Sequence, residues 1–72
     1  MNAAPRDVAI DGALIRLGQL LKLSGLAQSG AEARELVQEG AVSVNGEIET
    51  RRGRQLHPGD LVDVDGEIVR VG

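Results

Sequence analysis

The sequence predicts an α+β fold in which two short adjacent helices pack on a small antiparallel sheet. Two segments, "LGQLLKL" and "AEARELV", carry apolar residues at helical spacing. An Asn-Gly turn and an Asp-Gly turn follow them, and alternating apolar residues flank each turn, as is typical of hairpins. With 72 residues, the chain has room for one domain. We expect residues 7–72 to form this domain and residues 1–6 to be a flexible tail.

In the segment before the first helix, "DVAIDGALIRL", larger apolar residues such as Val8, Ile10 and Leu14 alternate with other residues on both sides of Asp11-Gly12. Because Asp-Gly favours the positive φ that hairpin turns need, this pattern predicts two short strands joined by a turn. An alternative stays open, since "ALIRLGQLLKL" also fits one continuous helix, although Gly18 disfavours a helix at that point.

The first helix is predicted from the i, i+3, i+4 spacing of Leu17, Leu20 and Leu21, which makes one apolar face. We expect this helix to have roughly two turns and to stop at Gly25, a residue that tolerates the left-handed conformation of a helix end.

The second helix begins with Ser29 and Glu32, which fit the capping box S-x-x-E. In such a box each side chain binds the backbone N–H of the other residue. The predicted apolar stripe consists of Ala33, Leu36 and Val37, and Gly40 ends the helix. We expect Leu20, Leu36 and Val44 to be buried against one another.

Two hairpins are predicted to complete the domain. Val42 and Val44 alternate with Ser43 before Asn45-Gly46, and Ile48 continues the apolar pattern on the return strand. Asp65-Gly66 forms the second turn, within "LVDVDGEIVRV".

Composition excludes several classes of function. The chain has no cysteine and one histidine, so we expect neither a disulfide nor a zinc site. It has no Phe, Tyr or Trp, which excludes binding of single-stranded RNA on an aromatic platform. No nucleophile lies near His57 in the sequence, and no phosphate-loop pattern occurs. We expect no enzyme activity and no cofactor. The N-terminus has no apolar signal region, which predicts a cytoplasmic protein that does not enter a membrane.

The basic residues are concentrated at one place, although the chain as a whole is acidic, with 8 Lys+Arg and 11 Asp+Glu. Arg51, Arg52 and Arg54 follow the first hairpin, whereas residues 55–69 contain four acids and no Lys or Arg. A solvated loop is the ordinary explanation of such a run. Two features favour a binding role: Gly53 permits close approach of a partner, and the guanidinium fork suits phosphate.

The chain resembles the small RNA-binding domain named after ribosomal small-subunit protein four, also called the alpha-L motif, and in particular its stand-alone bacterial members. The resemblance extends over "LGQLLKLSGLAQSGAEARELVQEGAVSVNGEIETRRGRQLHPGD", about two thirds of the chain, and "VNGE-ETRRGR-L-PGD" is its most specific part. It implies two helices and a strand–turn–strand that together form an RNA-binding face. The RNA-facing positions that it implies are Lys22, Gln28, Ser29, Arg34, Asn45, Arg51, Arg52 and Arg54. Many members have Arg directly after the capping Ser, where this chain, like other stand-alone members, has Gly30.

These observations together predict a monomeric, non-enzymatic binder of structured RNA, of the ribosomal or transfer RNA type, with the ribosome or its precursor as a candidate partner. Phosphate contacts position a protein without reading sequence, so we expect it to recognise RNA shape. The alternative is a protein–protein interaction module that uses the arginine loop and the acidic hairpin. Binding of double-stranded DNA is a further alternative.

Overall fold

The computed structural model describes residues 4–72, which form two helices and seven short strands. The elements are β1 Arg6–Val8, β2 Ile15–Arg16, α1 Leu17–Leu23, α2 Gly30–Gln38, β3 Val42–Val44, β4 Glu47–Ile48, β5 Gln55–Leu56, β6 Leu61–Val64 and β7 Glu67–Val71. Part of the predicted tail, residues 1–3, lies outside the described residues, and Arg6 at its end already belongs to β1.

Five strands form one sheet in the order β1-β7-β6-β3-β4, and β2 and β5 form a second, two-stranded sheet. Every pair is antiparallel except β1 and β7, which are parallel. The two helices contact each other, and their leucines share one core with the valines of the larger sheet. The predicted α+β class is confirmed, with one parallel pair added to the antiparallel sheet.

The hairpin predicted at Asp11-Gly12 is wrong. Gly12 does adopt a positive φ of 97°, but the strands on its two sides do not pair with each other. Instead β1 pairs with β7, setting Val8 beside Val71, and β2 pairs with β5, setting Ile15 beside Leu56. The turn residue controls only local geometry, whereas burial of apolar side chains against distant segments decides which strands pair.

The other two turns form as predicted. Asn45 and Gly46 have φ of 52° and 88°, and Asp65 and Gly66 have φ of 52° and 89°. Positive φ at both central residues is the mark of the type I′ turn, whose twist matches that of the strands it joins. These turns fix the registers of β3 with β4 and of β6 with β7.

Helix α1 buries Leu17, Leu20 and Leu21 completely, as their spacing predicts. It ends at Leu23 with Ser24 as its C-cap, after which Gly25 has a φ of 82°. The guanidinium of Arg6 donates a hydrogen bond of 2.8 Å to the carbonyl of Ser24. This contact places a positive charge at the end of the helix where the macrodipole favours one, and it ties β1 to α1.

Helix α2 begins at its predicted cap, since Ser29 Oγ accepts a hydrogen bond of 3.1 Å from the N–H of Glu32. The reciprocal half of the box is displaced by one residue. The Glu32 carboxylate reaches past Ser29 and accepts from the N–H of Gln28 at 2.6 Å. Of the predicted stripe, Ala33 and Val37 are fully buried, but Leu36 packs at the edge of the core and is only partly buried.

The return strand of the first hairpin also differs from its prediction. Ile48, expected to face the core, is 67% exposed, and the next residue, Glu49, is buried instead. The inward position is therefore taken by a carboxylate.

Candidate nucleic-acid interface

The arginine loop, residues 51–54, is attached to the start of α1. The N–H of Leu17 donates to the carbonyl of Arg54 at 2.8 Å, and the N–H of Gly18 donates to the carbonyl of Arg52 at 3.0 Å. N–H groups in the first turn of a helix have no acceptor within their own helix. The loop carbonyls of Arg52 and Arg54 therefore supply acceptors for two N–H groups of α1. The pairing of β2 with β5 continues the same junction.

A surface groove of about 350 Å³ lies where the arginine loop meets the two helices. Its lining comprises Arg16, Gly18, Gln19, Lys22, Gly30, Ala33, Arg52 and Gly53. We call this feature the cationic groove, because three of these residues carry positive charges and none carries a negative one. Gly30 and Ala33 belong to the first turn of α2, so the start of that helix forms one wall.

Two arginines of the cationic groove each lie close to a glycine at the junction of the arginine loop with α1. A Cβ added at Gly18 would lie 3.4 Å from Cγ of Arg52, so the stem of this loop arginine lies across α1. A Cβ added at Gly53 would lie 3.5 Å from Nη1 of Arg16, so the guanidinium of Arg16, the last residue of β2, lies against the loop. The two glycines leave room for these contacts, and Arg16 and Arg52 both line the cationic groove.

Arg51 and Arg54 are engaged differently, because both bind the carboxylate of Glu49. Oε2 of Glu49 accepts from Nε and from the backbone N–H of Arg51, each at 3.0 Å. Oε1 accepts from Nη2 of Arg51 at 3.1 Å and from Nη1 of Arg54 at 3.0 Å. The Glu49 side chain is 8% exposed, whereas those of Arg51 and Arg54 are 74% and 32% exposed.

These hydrogen bonds lower the pKa of Glu49 to about 2, with the side-chain bond from Arg51 as the largest cause and that from Arg54 next. The carboxylate is therefore ionised at neutral pH, and the charge of the three-residue cluster is that of a single cation.

Glu49 and Arg16 are the residues that our sequence analysis missed. A signal for Glu49 was present, since residues two apart in an extended segment point to the same side, and Glu49 precedes Arg51 by two. Arg16 directly precedes the first helix, but nothing local in the sequence indicates that it meets the arginine loop.

The remaining predicted site residues lie at several places. Lys22 lines the cationic groove together with Arg52. Gln28 and Ser29 are exposed beside the start of α2, where Ser29 serves as the cap. Arg34 is exposed on α2 and does not line the groove.

Asn45 has a structural task at the first hairpin. Its amide donates to Asp60 at 3.1 Å, and its carbonyl oxygen accepts from the N–H of Leu61 at 2.9 Å. The side chain thus joins the β3–β4 turn to the start of β6, and both the NH₂ group and the carbonyl oxygen of its amide have partners.

The acidic residues of the C-terminal half also support turns. Asp60 accepts from the N–H of His57 at 2.8 Å, and Asp63 accepts from the N–H of Gly66 at 2.9 Å. Burial raises the pKa of Asp60, but the hydrogen bonds from His57 and Asn45 outweigh burial and leave that pKa below its ordinary value. Within residues 4–72, no group of three or more acidic or His side chains is arranged to hold a metal ion. The helices of this part are also too short to cross a membrane.

Comparison with known proteins supports the resemblance noted in the sequence. Residues 8–72 match the family described as the S4 domain. The chain belongs to the S4 domain family. This S4 domain is 46% identical over 59 residues to the "Probable ribosome maturation protein RlbA" of Bacillus subtilis (strain 168), a match covering 82% of this chain and 83% of that protein. It is 40% identical over 57 residues to YbcJ of Escherichia coli (strain K12), covering 79% of this chain and 81% of YbcJ.

Solved structures agree with the fold of this S4 domain. The solution structure of E. coli YbcJ, described as revealing an alpha-L motif involved in RNA binding, superposes with a TM-score of 0.71 at 33% identity and covers 96% of this chain and 89% of that one. Ribosomal protein S4e of Thermoplasma acidophilum superposes with a TM-score of 0.64 at 22% identity, covering 83% of this chain and 32% of that one, a likeness of fold alone.

Proposed function

We propose that this S4 domain binds structured RNA in the cytoplasm and catalyses no reaction. Ribosomal RNA, in the ribosome or its precursor, is the first candidate ligand. The names of its relatives support this choice, since one is called a ribosome maturation protein and the YbcJ motif is described as involved in RNA binding. Transfer RNA is the second candidate, because a tyrosine–tRNA ligase of Burkholderia lata is 34% identical over 56 residues.

The observation that carries the proposal is the cationic groove. The chain has a net charge of −3, yet Arg16, Lys22 and Arg52 converge on one groove. An acidic surface repels a polyanion except where such a groove attracts it, and this contrast orients the approach of RNA. Guanidinium groups bind phosphate through paired hydrogen bonds, so the two arginines are suited to the RNA backbone.

The first turn of α2 adds to the attraction for phosphate. The N–H groups of Gly30 and Ala31 belong to that turn and have no acceptor within the helix. A helix N-terminus favours an anion, and an added Cβ at Gly30 would meet no atom within 4 Å, so the approach is open. Gln28 and Arg34 extend this polar surface beyond the groove.

The arrangement favours recognition of RNA shape over sequence. Backbone contacts fix register and orientation but do not identify bases. The absence of aromatic residues from the whole chain removes base stacking on a side-chain ring. A helix junction or bulge, which brings phosphates together from several directions, is the ligand that suits a compact cationic groove.

The test is a titration of the protein with a fluorescently labelled RNA three-way junction, followed by anisotropy at several salt concentrations. Arg16→Gln and Arg52→Gln should each weaken binding and flatten the log–log salt slope by about 0.7–0.9 per lost phosphate contact. Arg70→Gln is the matched control, because it removes the same charge from an exposed arginine paired with Asp7 at 3.3 Å. Equal effects of Arg70→Gln and Arg52→Gln would contradict the proposal.

The same titration separates the alternatives. Double-stranded DNA of the same length should compete poorly with the RNA junction. An acidic polypeptide such as poly-glutamate, added at equal charge, should not compete. If poly-glutamate displaces the RNA fully, the arginine loop binds anions in general. That result would favour the protein–protein interaction module over RNA binding.

A further inference from the structure

Glu49, Arg51 and Arg54, which we call the Glu49 cluster, have an arrangement that the proposed function does not explain. If the arginine loop binds phosphate, a buried carboxylate that engages two of its three arginines should weaken binding by simple charge balance. Yet Glu49 makes four hydrogen bonds to Arg51 and Arg54, more than charge neutralisation requires. The guanidinium N–H donors of Arg51 and Arg54 that do not bind Glu49 explain this arrangement.

Both guanidinium groups keep most of their hydrogen-bonding capacity. A guanidinium has five N–H donors, of which Arg51 uses two on Glu49 and Arg54 uses one. Nη2 of Arg51 and Nη1 of Arg54 each lie about 3 Å from the same oxygen, Oε1, so they are close neighbours despite their like charge. Without the carboxylate between them, two cations at this distance would repel each other and separate.

The two arginines border a second surface concavity, which shares Gly53 with the cationic groove. It is lined by Arg51, Gly53, Arg54 and Gln55, so Gly53 borders both depressions. The Arg51 side chain is largely exposed, which leaves its unused donors accessible to a ligand in this concavity.

We propose that Glu49 is a positioning residue that holds Arg51 and Arg54 together as a second phosphate subsite, adjacent to the cationic groove across Gly53. This inference rests on the proposed RNA binding and deepens it. Glu49 does not touch the RNA. It orders two guanidinium groups before RNA binds, so the entropic cost of ordering them does not reduce the binding free energy. A single RNA strand passing over Gly53 places phosphates on both sides of it.

The proposal makes a prediction opposite in sign to that of simple electrostatics. Glu49→Gln makes the protein more positive by one charge, so an electrostatic role alone predicts tighter RNA binding. A Gln amide has one acceptor oxygen and an NH₂ group that only donates, so one of the two oxygens that accept from Arg51 is replaced by a donor, and the negative charge between the two guanidinium groups is lost. We therefore expect Glu49→Gln to weaken binding to the RNA junction by about five- to tenfold, the effect of losing one or two hydrogen bonds. Glu47→Gln, at an exposed residue two positions earlier, is the matched control and should bind slightly more tightly than the parent.

A thermodynamic cycle tests whether Glu49 acts through the arginines. Glu49→Gln is also measured in a protein carrying Arg51→Gln and Arg54→Gln, with circular dichroism confirming that each variant is folded at the assay temperature. If Glu49 is a positioning residue, its substitution weakens binding in the parent and has no such effect in the double-arginine variant. Glu49→Asp, which keeps the charge but shortens the side chain, should behave like Glu49→Gln.

The outcomes separate the two proposals. Tighter or unchanged binding by Glu49→Gln, or equal weakening in both backgrounds, would overturn the positioning role while leaving RNA binding intact. A parent protein that fails to bind the RNA junction would overturn the proposed function, and the second subsite with it.

Discussion

The carboxylate of Glu49 binds the guanidinium of Arg51 through both of its oxygens, at 3.0 and 3.1 Å, and the same carboxylate also holds Arg54. The three arginines of the loop are therefore not equivalent. Arg52 lies in the cationic groove across Gly18, while Arg51 and Arg54 are tied to a buried acid. The loop is at once part of the candidate RNA-binding surface and part of the folded framework.

The first prediction is that the loop arginines differ in their effect on stability. Replacing Arg51 and Arg54 together by Gln leaves Glu49 as a buried carboxylate without a cation, which is unfavourable. Replacing Arg52 by Gln breaks no ion pair of the Glu49 cluster. We expect thermal unfolding to show a clear fall in Tm for the first variant and a small one for the second. Equal Tm values would mean that the Glu49 cluster contributes little to folding.

For this reason a triple substitution of Arg51, Arg52 and Arg54 is a poor test of RNA binding. It would mix loss of phosphate contacts with loss of the Glu49 partners, and weaker binding could then reflect a less ordered loop. Single substitutions of Arg16 and Arg52 avoid this mixture.

The second prediction concerns acid. The pKa of Glu49 is about 2 in the folded protein and has an ordinary value of 4.5. A carboxylate whose pKa is depressed by folding contributes stability that is fully present above the ordinary pKa and is lost as pH falls through the folded one. We expect the Tm difference between the parent and Glu49→Gln to be constant near neutral pH and to shrink between about pH 4.5 and pH 2.

Asp60 makes this comparison necessary, because its pKa is also lowered in the folded protein and its contribution falls in acid as well. The parent and Glu49→Gln both contain Asp60, so the difference between them isolates Glu49. A Tm difference that does not change with pH would show that the ion pairs of Glu49 are not the source of its effect.

The third prediction ranks two leucines of the helices. Leu20 is fully buried, so Leu20→Ala should lower the free energy of unfolding by about 2–5 kcal/mol. Leu36 is only partly buried, so Leu36→Ala should cost roughly 1–2 kcal/mol, in proportion to the smaller apolar area it hides. Urea denaturation measures both, and a larger cost at Leu36 would contradict the burial seen in the structure.

The fourth prediction is a gain of binding. Gly30 lines the cationic groove, and an added Cβ there meets no atom within 4 Å, so Gly30→Arg introduces a cation without a clash. The repulsion of a positive charge by a helix N-terminus, about 0.3–1 kcal/mol, is offset by the replacement of Gly in a helix. We expect tighter binding to the RNA junction and a salt slope steeper by about 0.7–0.9.

Gly30→Ala is the control for Gly30→Arg, because it changes the backbone preference without adding charge. If Gly30→Ala raises the RNA affinity equally, the cause is the changed backbone preference at the start of α2 and not a new phosphate contact.

The elements that the sequence predicts correctly are those that local interactions determine. Leu17, Leu20 and Leu21 face the core because three residues at helical spacing share one side of a helix whatever surrounds it. Asn45-Gly46 forms a type I′ turn because these two residues tolerate positive φ. Ser29 caps α2 because its partner N–H lies three residues away.

The sequence alone therefore determined both helices and two hairpins, which depend on spacing within a few residues, and also the family, which a motif pattern over about two thirds of the chain indicates. Only the tertiary structure decided that β1 pairs with β7, that Arg16 meets the arginine loop, and that Glu49 engages two of the loop arginines. These features bring together segments far apart in the chain or depend on which side of a strand is buried. Each apolar side chain could be buried against several segments, and each charged side chain could pair with several others. Which of these contacts form is decided only when the whole core is assembled.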